Sequence, residues 1–260
     1  ATQIWVDSYS IECAVLCGTI TANIGWVETS YLKVPVQYTD IAARLKCVHF
    51  KNLDLYFVPG ISTSENFLGF PDTMRGEETQ ILGFLSHSSS KSKQLVCLPG
   101  THTKWVDIEN DTILNVQTSF SGELFEVLYE NSILIEGQDN VGYSRKEFID
   151  GINVSQVPHT PSLTHTLFGV RARMLLGKTG NSSAANFLSG LIIGNDIAQI
   201  RQRSENTDIT IIGNEDLICR YGAALSAFNM EYSALDGQDC VLKGLVCITK
   251  IILKAYCLEK

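Results

Sequence analysis

Pro71-Asp-Thr-Met-Arg-Gly-Glu-Glu-Thr-Gln80 and Gln94-Leu-Val-Cys-Leu-Pro-Gly-Thr-His-Thr-Lys-Trp105 are the two runs around which the chain is organised. The first places paired carboxylates, Glu77 and Glu78, directly behind Arg75 and Gly76. The second reads as a strand, Gln94 to Leu98, that breaks at Pro99-Gly100 and re-forms around Trp105. Its turn, Gly-Thr-His-Thr-Lys, is dense in backbone N–H groups and hydroxyls and carries one ammonium. Adjacent N–H groups make an anion-binding concavity, so such a turn can cradle a phosphate, with Lys104 adding a point charge. A carboxylate placed opposite could take the proton of a hydroxyl that attacks the phosphate.

Outward from that turn the pattern becomes regular. Strand-like runs at Gln94–Leu98, Thr103–Ile108 and Ile113–Ser119 precede a helix from Gly122 to about Ser132. Helices follow over Leu163–Leu176 and Ala184–Arg203, then a strand at Ile209–Ile212 and a helix over Asp216–Phe228. A strand near Met230–Leu235 and a closing helix from Asp239 to about Cys257 complete the chain. The segment from Gly137 to Pro161 is polar and reads as irregular. Strands and helices so interleaved predict an α/β sheet covered by helices, in the ribonuclease-H-like order. The polar stretch Ser86 to Lys93 is the predicted boundary between residues 1–93 and residues 94–260. In the first part, Ile11–Cys17 reads as a buried strand ended by Gly18, Thr39–Cys47 as a short helix and Asp54–Val58 as a strand. Residues 18–38 and 61–73 read as loops, and Met74–Leu85 as a helix. The first part then resembles an incomplete second copy of the same order.

Composition narrows the partners. At 260 residues, 45% apolar and 18% charged, the chain suits one large domain or two small ones with a substantial core. A formal charge of −8 argues against a nucleic-acid or anionic-membrane surface. The eight cysteines are scattered without a Cys-x-x-Cys pair, which points to reduced, buried thiols and a cytoplasmic location. No uncharged apolar run reaches the ~18 residues a membrane span needs. Walker-type Gly-x-x-x-x-Gly-Lys-Ser/Thr loops and Gly-x-Ser-x-Gly elbows are absent from the sequence, and the histidines lack metal-site spacing.

Each candidate side chain has a plainer alternative. Glutamates in a first helical turn complement the helix dipole whatever else they do. Arg75 suits either a substrate carboxylate, which its planar fork matches, or an ion pair with Glu78. His102 is either a structural histidine or part of the phosphate turn. Asn23 and Trp26 sit in a segment that reads as an aromatic-stapled surface loop. Gly213-Asn-Glu-Asp reads as an ordinary helix start capped by Asn214 or Asp216.

The two opening runs closely resemble the 2-dehydro-3-deoxygalactonokinase family, sugar-acid kinases of the sugar-kinase and actin-like superfamily. Further segments resemble it in the same order: Gly25-Trp26 with Tyr31-Leu32, Val58-Pro-Gly60, Ser121-Gly-Glu123, Val170-Arg-Ala172, Phe187 to Gly194, and Leu217 with Arg220-Tyr221. The resemblance implies a two-lobe ribonuclease-H-like fold with its site in the cleft between lobes. It implies transfer of the ATP γ-phosphate, with Mg2+, to the 6-hydroxyl of 2-dehydro-3-deoxygalactonate. Glu77 would be the base, with Glu78 the alternative. Asn23, Trp26, Arg75, Thr101, His102 and Lys104 would meet the sugar acid. Gly100, Thr101, Thr103, Gly213, Asn214, Leu217 and Tyr221 would meet the nucleotide, while the residues holding the metal are not assigned. Family members open with an Asp-Trp-Gly-Ser/Thr-Thr-Asn phosphate loop that is not among these residues, which leaves open a relative that binds sugar acid or nucleotide without turnover. A homo-oligomer is also left open.

Overall fold

The computed structural model describes residues 13–86, 92–135, 142–157, 162–178, 180–201 and 207–258, with Ile11 and Ser204. In chain order the strands are β1 (Cys13–Leu16), β2 (Tyr31–Lys33), β3 (Val36–Gln37), β4 (Lys46–Phe50), β5 (Leu53–Phe57), β6 (Gly60–Thr63) and β7 (Asp72–Met74), followed by β8 (Gln94–Leu98), β9 (Thr103–Glu109), β10 (Thr112–Ser119), β11 (Asp208–Gly213) and β12 (Ser233–Asp236). The helices are α1 (Tyr38–Ala43), α2 (Glu77–Leu85), α3 (Ser121–Asn131), α4 (Arg145–Val154), α5 (Leu163–Leu175), α6 (Asn181–Arg201), α7 (Glu215–Ala227) and α8 (Gly237–Leu258). Among the described residues no helix is long and apolar enough to cross a membrane.

The fold is mixed α/β, and it divides into two compact units that are not contiguous in sequence. Residues 1–93, 106–117 and 236–260 form one; residues 94–105 and 118–235 form the other. The sequence reading grouped everything after residue 93 together, whereas α8 belongs with the first unit. The reason is a close helix contact. A Cβ on Gly83 of α2 would lie 1.9 Å from the Cys240 carbonyl oxygen, and one on Gly244 of α8 would lie 2.0 Å from that of Thr79. Two glycines thus let the backbones of α2 and α8 touch, a pairing that sequence order does not reveal.

The first unit holds a β1-β5-β4 sheet, with β1 parallel and β4 antiparallel to β5. It also holds a β2-β6-β7 sheet, with β2 parallel and β7 antiparallel to β6. β3 pairs antiparallel with the Thr112–Ile113 end of β10. The expected Ile11–Cys17 strand exists as β1 but is only half-buried. β2 and β3 form within the expected loop 18–38, and β6 and β7 within the expected loop 61–73, because short strands leave little periodicity to read.

In the second unit β11 lies between β12 and β8 and runs parallel to β8. α6 is its axis. The helix is buried on nearly every side, from Ala184 to Ile200, as expected of a helix apolar all round. One cluster joins it to the sheet through Leu95, Cys97, Trp105, Phe148, Ile197 and Ile211. Another joins it to other helices through Leu134, Val170, Phe187, Leu188 and Leu191. α4 lies in the segment expected to be irregular. It was missed because its polar face outweighs the apolar residues Phe148 and Ile152, which pack against α6.

Candidate functional site

Two groups of candidate residues fall in different units. In the first unit β7 ends at Met74 and the chain turns into α2 through Gly76, whose φ of +106° favours glycine. A Cβ there would also lie 3.3 Å from Gly18 Cα, so the turn is pressed against the end of β1. The two carboxylates fold back on this turn. Glu77 Oε2 accepts from the Arg75 N–H at 3.0 Å, and Glu78 Oε2 accepts from the Gly76 N–H at 2.6 Å. Both are charge-assisted bonds to donors left free ahead of a helix.

Environment separates the pair. Glu77 is partly exposed. Glu78 is fully buried, accepts a further bond from Thr79 Oγ1 at 3.1 Å, and has its carboxyl pushed from the ordinary 4.5 up to about 7. Burial is the main cause, opposed by the Gly76 N–H and reinforced by the neighbouring charge of Glu77. Burial likewise raises the Cys17 thiol beside it.

A pH dependence follows. Because the folded-state value of about 7 lies above the unfolded 4.5, the native state holds more protons between those values. Stability therefore falls as pH rises through that window and levels off above it. At about 1.36 kcal/mol per unit, the ionised carboxyl costs the fold up to roughly 3 kcal/mol above pH 7. Glu78→Gln is expected to flatten the fall in melting temperature across this window; an unchanged slope would remove Glu78 as its source.

Arg75 turns its guanidinium onto the chain itself. Its Nη1 donates to Thr21 O (2.8 Å), Thr21 Oγ1 (2.7 Å) and Thr29 Oγ1 (2.6 Å), and its Nη2 to Thr29 O (2.9 Å). The guanidinium lies 4.4 Å from the Tyr31 ring centre. It makes no ion pair with Glu78; its fork is filled by protein oxygens, and it pins the 21–31 segment instead. That segment exposes Asn23 and holds Trp26 edge-on to Phe50 and Phe57, at 5.4 and 5.9 Å. Trp26, Glu28, Thr29 and Lys46 line an open depression of about 540 Å3; Asn23 is not in its lining.

In the second unit the turn after β8 is held from below. The Glu123 N–H donates to Thr101 O at 2.9 Å, and a Cβ on Gly122 would lie 2.3 Å from Gly100 O, so α3 starts in backbone contact with the turn. Thr101 and His102 are exposed at its tip. His102 Nε2 meets Glu123 Oε2 at 2.5 Å, and its ring stacks on Phe120 at 5.1 Å. Thr103, expected at the nucleotide, is fully buried. Its Oγ1 is bonded to Tyr221 OH (2.8 Å) and Ser121 Oγ (2.9 Å). Lys104 is also buried, and its Nζ donates to Thr118 Oγ1 at 2.8 Å. Strand alternation is the cause: Thr103 and Trp105 share one face of β9, and Lys104 takes the other.

Tyr221 is the hub beneath. Its hydroxyl meets Thr103, Ser121 (2.9 Å) and Asp196 Oδ2 (3.4 Å), and Asp196 also accepts from Trp105 Nε1 at 3.2 Å. Burial holds the phenol well above its ordinary value. This network ties the turn to α3, α6 and α7. Beside it is a cavity of about 230 Å3. Gly100, Ser121, Gly122 and Tyr221 line the end at the turn; Phe125, Ile192, Ile193 and Leu217 give apolar walls; Ser189 and Arg220 add polar groups.

Gly100, Leu217 and Tyr221 were expected at a nucleotide and do line this cavity. Gly213 and Asn214 do not. Gly213 is buried against Pro99, and Asn214 caps α7 by accepting from the Leu217 N–H at 2.9 Å. Ser121, Phe125, Ser189, Ile192, Ile193 and Arg220 went unassigned. The usable signal was spacing: 189, 192 and 193 share a face of α6, as 217, 220 and 221 do on α7. Among the described residues no three His, Cys, Asp or Glu side chains converge as a metal site; His87 and His159 lie outside them.

Comparison with known proteins agrees across the chain. Residues 1–248 match the family described as 2-keto-3-deoxy-galactonokinase. A probable 2-dehydro-3-deoxygalactonokinase of Rhizobium meliloti (strain 1021) is 34% identical over 243 residues, covering 92% of this chain and 78% of the relative. The 2-dehydro-3-deoxygalactonokinase of Escherichia coli (strain K12) is 31% identical over 232 residues, covering 89% and 76%. A crystal structure presented as that of a 2-dehydro-3-deoxygalactonokinase protein from Sinorhizobium meliloti superposes with a TM-score of 0.87 at 31% identity, over 96% of this chain and 83% of that one.

Proposed function

This chain belongs to the 2-keto-3-deoxy-galactonokinase family, and we propose that it transfers the γ-phosphate of ATP to the 6-hydroxyl of 2-dehydro-3-deoxygalactonate. The two units would then be the lobes of a ribonuclease-H-like, actin-like kinase working in the cytoplasm. The observation that carries the reading is the cavity that opens at the Gly100–Thr103 turn, because it joins apolar walls sized for a flat base to a turn suited to phosphate.

In this reading Ile192, Ile193, Leu217 and Phe125 bury the nucleoside, while Ser121, Ser189 and Arg220 offer its polar bonds. Thr101 and His102, exposed at the tip, contact the phosphates, and Glu123 orients His102 through its 2.5 Å bond. Thr103 keeps the turn rigid rather than touching ligand, Tyr221 braces Thr103 from the wall of the cavity, and Lys104 braces β9. Mg2+ would arrive with the ATP, since this ion is commonly held by substrate phosphates and one or two carboxylates, and it neutralises charge on the transferred group. In the first unit Glu77 takes the proton of the attacking hydroxyl, and Glu78 holds the Gly76 turn that presents it. The Trp26 depression, with Lys46 on its rim, receives the sugar acid.

A coupled ADP-release assay tests the reading. ADP should form only when both ATP and the sugar acid are present. Leu217→Trp, which fills the apolar wall, should raise the KM for ATP about tenfold or more while leaving the KM for the sugar acid nearly unchanged. Equal ADP release without the sugar acid would refute the substrate assignment, and an unchanged KM for ATP would refute the pocket.

A further inference from the structure

Arg75 bonds in two directions at once. Its main-chain N–H donates to Glu77 Oε2, whereas its guanidinium reaches into the 21–31 segment. The residues it meets there, Thr21 and Thr29, are the two ends of a loop whose interior carries Trp26, Val27 and Glu28 of the open depression. The ends also meet directly, the Thr29 N–H donating to Thr21 O at 3.0 Å. Compact loops with adjoining ends commonly carry function, and such a loop holds its shape only while the ends stay joined.

The hydrogen bonds make this join specific for a guanidinium. Each threonine hydroxyl has one proton to give. That of Thr21 goes to Gly18 O at 2.9 Å, and that of Thr29 has Val58 O and Thr21 O each at 3.3 Å. Both hydroxyl oxygens are therefore acceptors toward Arg75 Nη1, while the Thr29 carbonyl takes Nη2. Arg75 Nε donates to Tyr31 OH at 3.5 Å beside the ring on which the guanidinium stacks. A lysine would bring one nitrogen to oxygens that three nitrogens now serve. The loop and the carboxylate turn are also one block, because Gly18, whose carbonyl holds Thr21, is the residue against which Gly76 is pressed.

We propose that Arg75 is a positioning residue for the sugar-acid half of the reaction: its side chain closes the loop that bears Trp26 and Glu28, and its N–H holds the Glu77 carboxylate in register with that loop. The inference rests on the kinase reading. One residue then sets the seat of the substrate against the base, and the nucleotide pocket is built from others.

Steady-state ADP release with each substrate varied in turn tests the inference. Arg75→Lys should raise the KM for the sugar acid about tenfold or more and lower kcat about tenfold, with the KM for ATP held within about twofold. Thr21 is fully buried and outside the lining of the depression, so Thr21→Val acts through the clamp. It should raise the same KM about threefold. In Arg75→Ala, millimolar guanidinium chloride, far below denaturing strength, should restore the KM for the sugar acid, and ethylammonium chloride should not. A general loss of stability raises neither KM selectively and is worsened by guanidinium. Where Arg75→Ala does not fold, Arg75→Lys and Thr21→Val decide. An unaltered chain that releases no ADP overturns the kinase reading and the inference together. With release intact, the inference alone is overturned by a sugar-acid KM untouched in Arg75→Lys and Thr21→Val, by an equal rise in the KM for ATP, or by a folded Arg75→Ala that both cations or neither restore.

Discussion

Glu77→Gln lowers sugar-acid-dependent ADP release by about 10²- to 10⁴-fold, the span a positioned general base contributes. The choice of this carboxylate over its neighbour rests on exposure. A base must come within hydrogen-bond reach of the hydroxyl it deprotonates, and Glu78, fully buried, presents no surface to a solute. Glu77 is partly exposed and anchored by one bond from the Arg75 N–H. Glutamine keeps the shape and that acceptor but cannot take the proton, so the melting temperature should hardly move while kcat collapses. Glu78→Gln should do the reverse, changing stability with pH and reducing kcat less than tenfold. Should the losses be exchanged, with Glu78→Gln inactive and Glu77→Gln active, Glu78 would be the base.

Gly190→Leu removes at least about 3 kcal/mol of stability and lowers the melting temperature by roughly 6–10 °C, with loss of soluble protein a more extreme expression of the same effect. Gly190 sits where α6 meets α4. Its Cβ would lie 1.9 Å from the Phe148 carbonyl oxygen and 3.1 Å from Phe148 Cα. The contact is reciprocal, since a Cβ on Gly151 of α4 would lie 2.2 Å from the Phe187 carbonyl oxygen. Backbone atoms cannot change rotamer, so any side chain must separate the helices, and α6 also carries Ser189, Ile192 and Ile193 into the nucleotide pocket. Gly169→Ala is the matched contrast: its Cβ meets nothing within 4 Å in α5, and the gain in helix propensity should leave stability unchanged or raise it by up to ~1 kcal/mol. A melting temperature equal to the unaltered chain's for Gly190→Leu would show that the helices tolerate separation.

Much of this was legible from residue order, and what was not has identifiable causes. β8, β9 and α7 were placed within a few residues, the strands because near-complete burial leaves a run of apolar residues between turn signals and α7 because its one buried face imposes helical spacing. Short strands such as β6 and β7 escaped because three or four residues carry too little periodicity. Arg75 could be recognised as a fork seeking oxygens, but not that Thr21 and Thr29 would fill it from some fifty residues away. Lys104 looked like a phosphate ligand because the turn precedes it, and strand alternation carried it to the other face. Gly213 and Asn214 were expected at the nucleotide from the family resemblance alone; the plainer reading of the residues, a helix start capped by Asn214, is what the hydrogen bonds show.

By itself the residue order determined the α/β class, the paired-carboxylate helix start, the threonine-rich turn and, through the match over residues 1–248, the family. Those features are local, written in periodicity, turn chemistry and short runs of neighbours. Tertiary structure alone decided which glutamate is buried, that Arg75 is a clamp, that α8 joins the first unit, and that α3, α6 and α7 enclose a cavity beside the turn. Each of these depends on residues distant in sequence desolvating or contacting one another, and burial and hydrogen bonding across such distances leave no mark on local spacing.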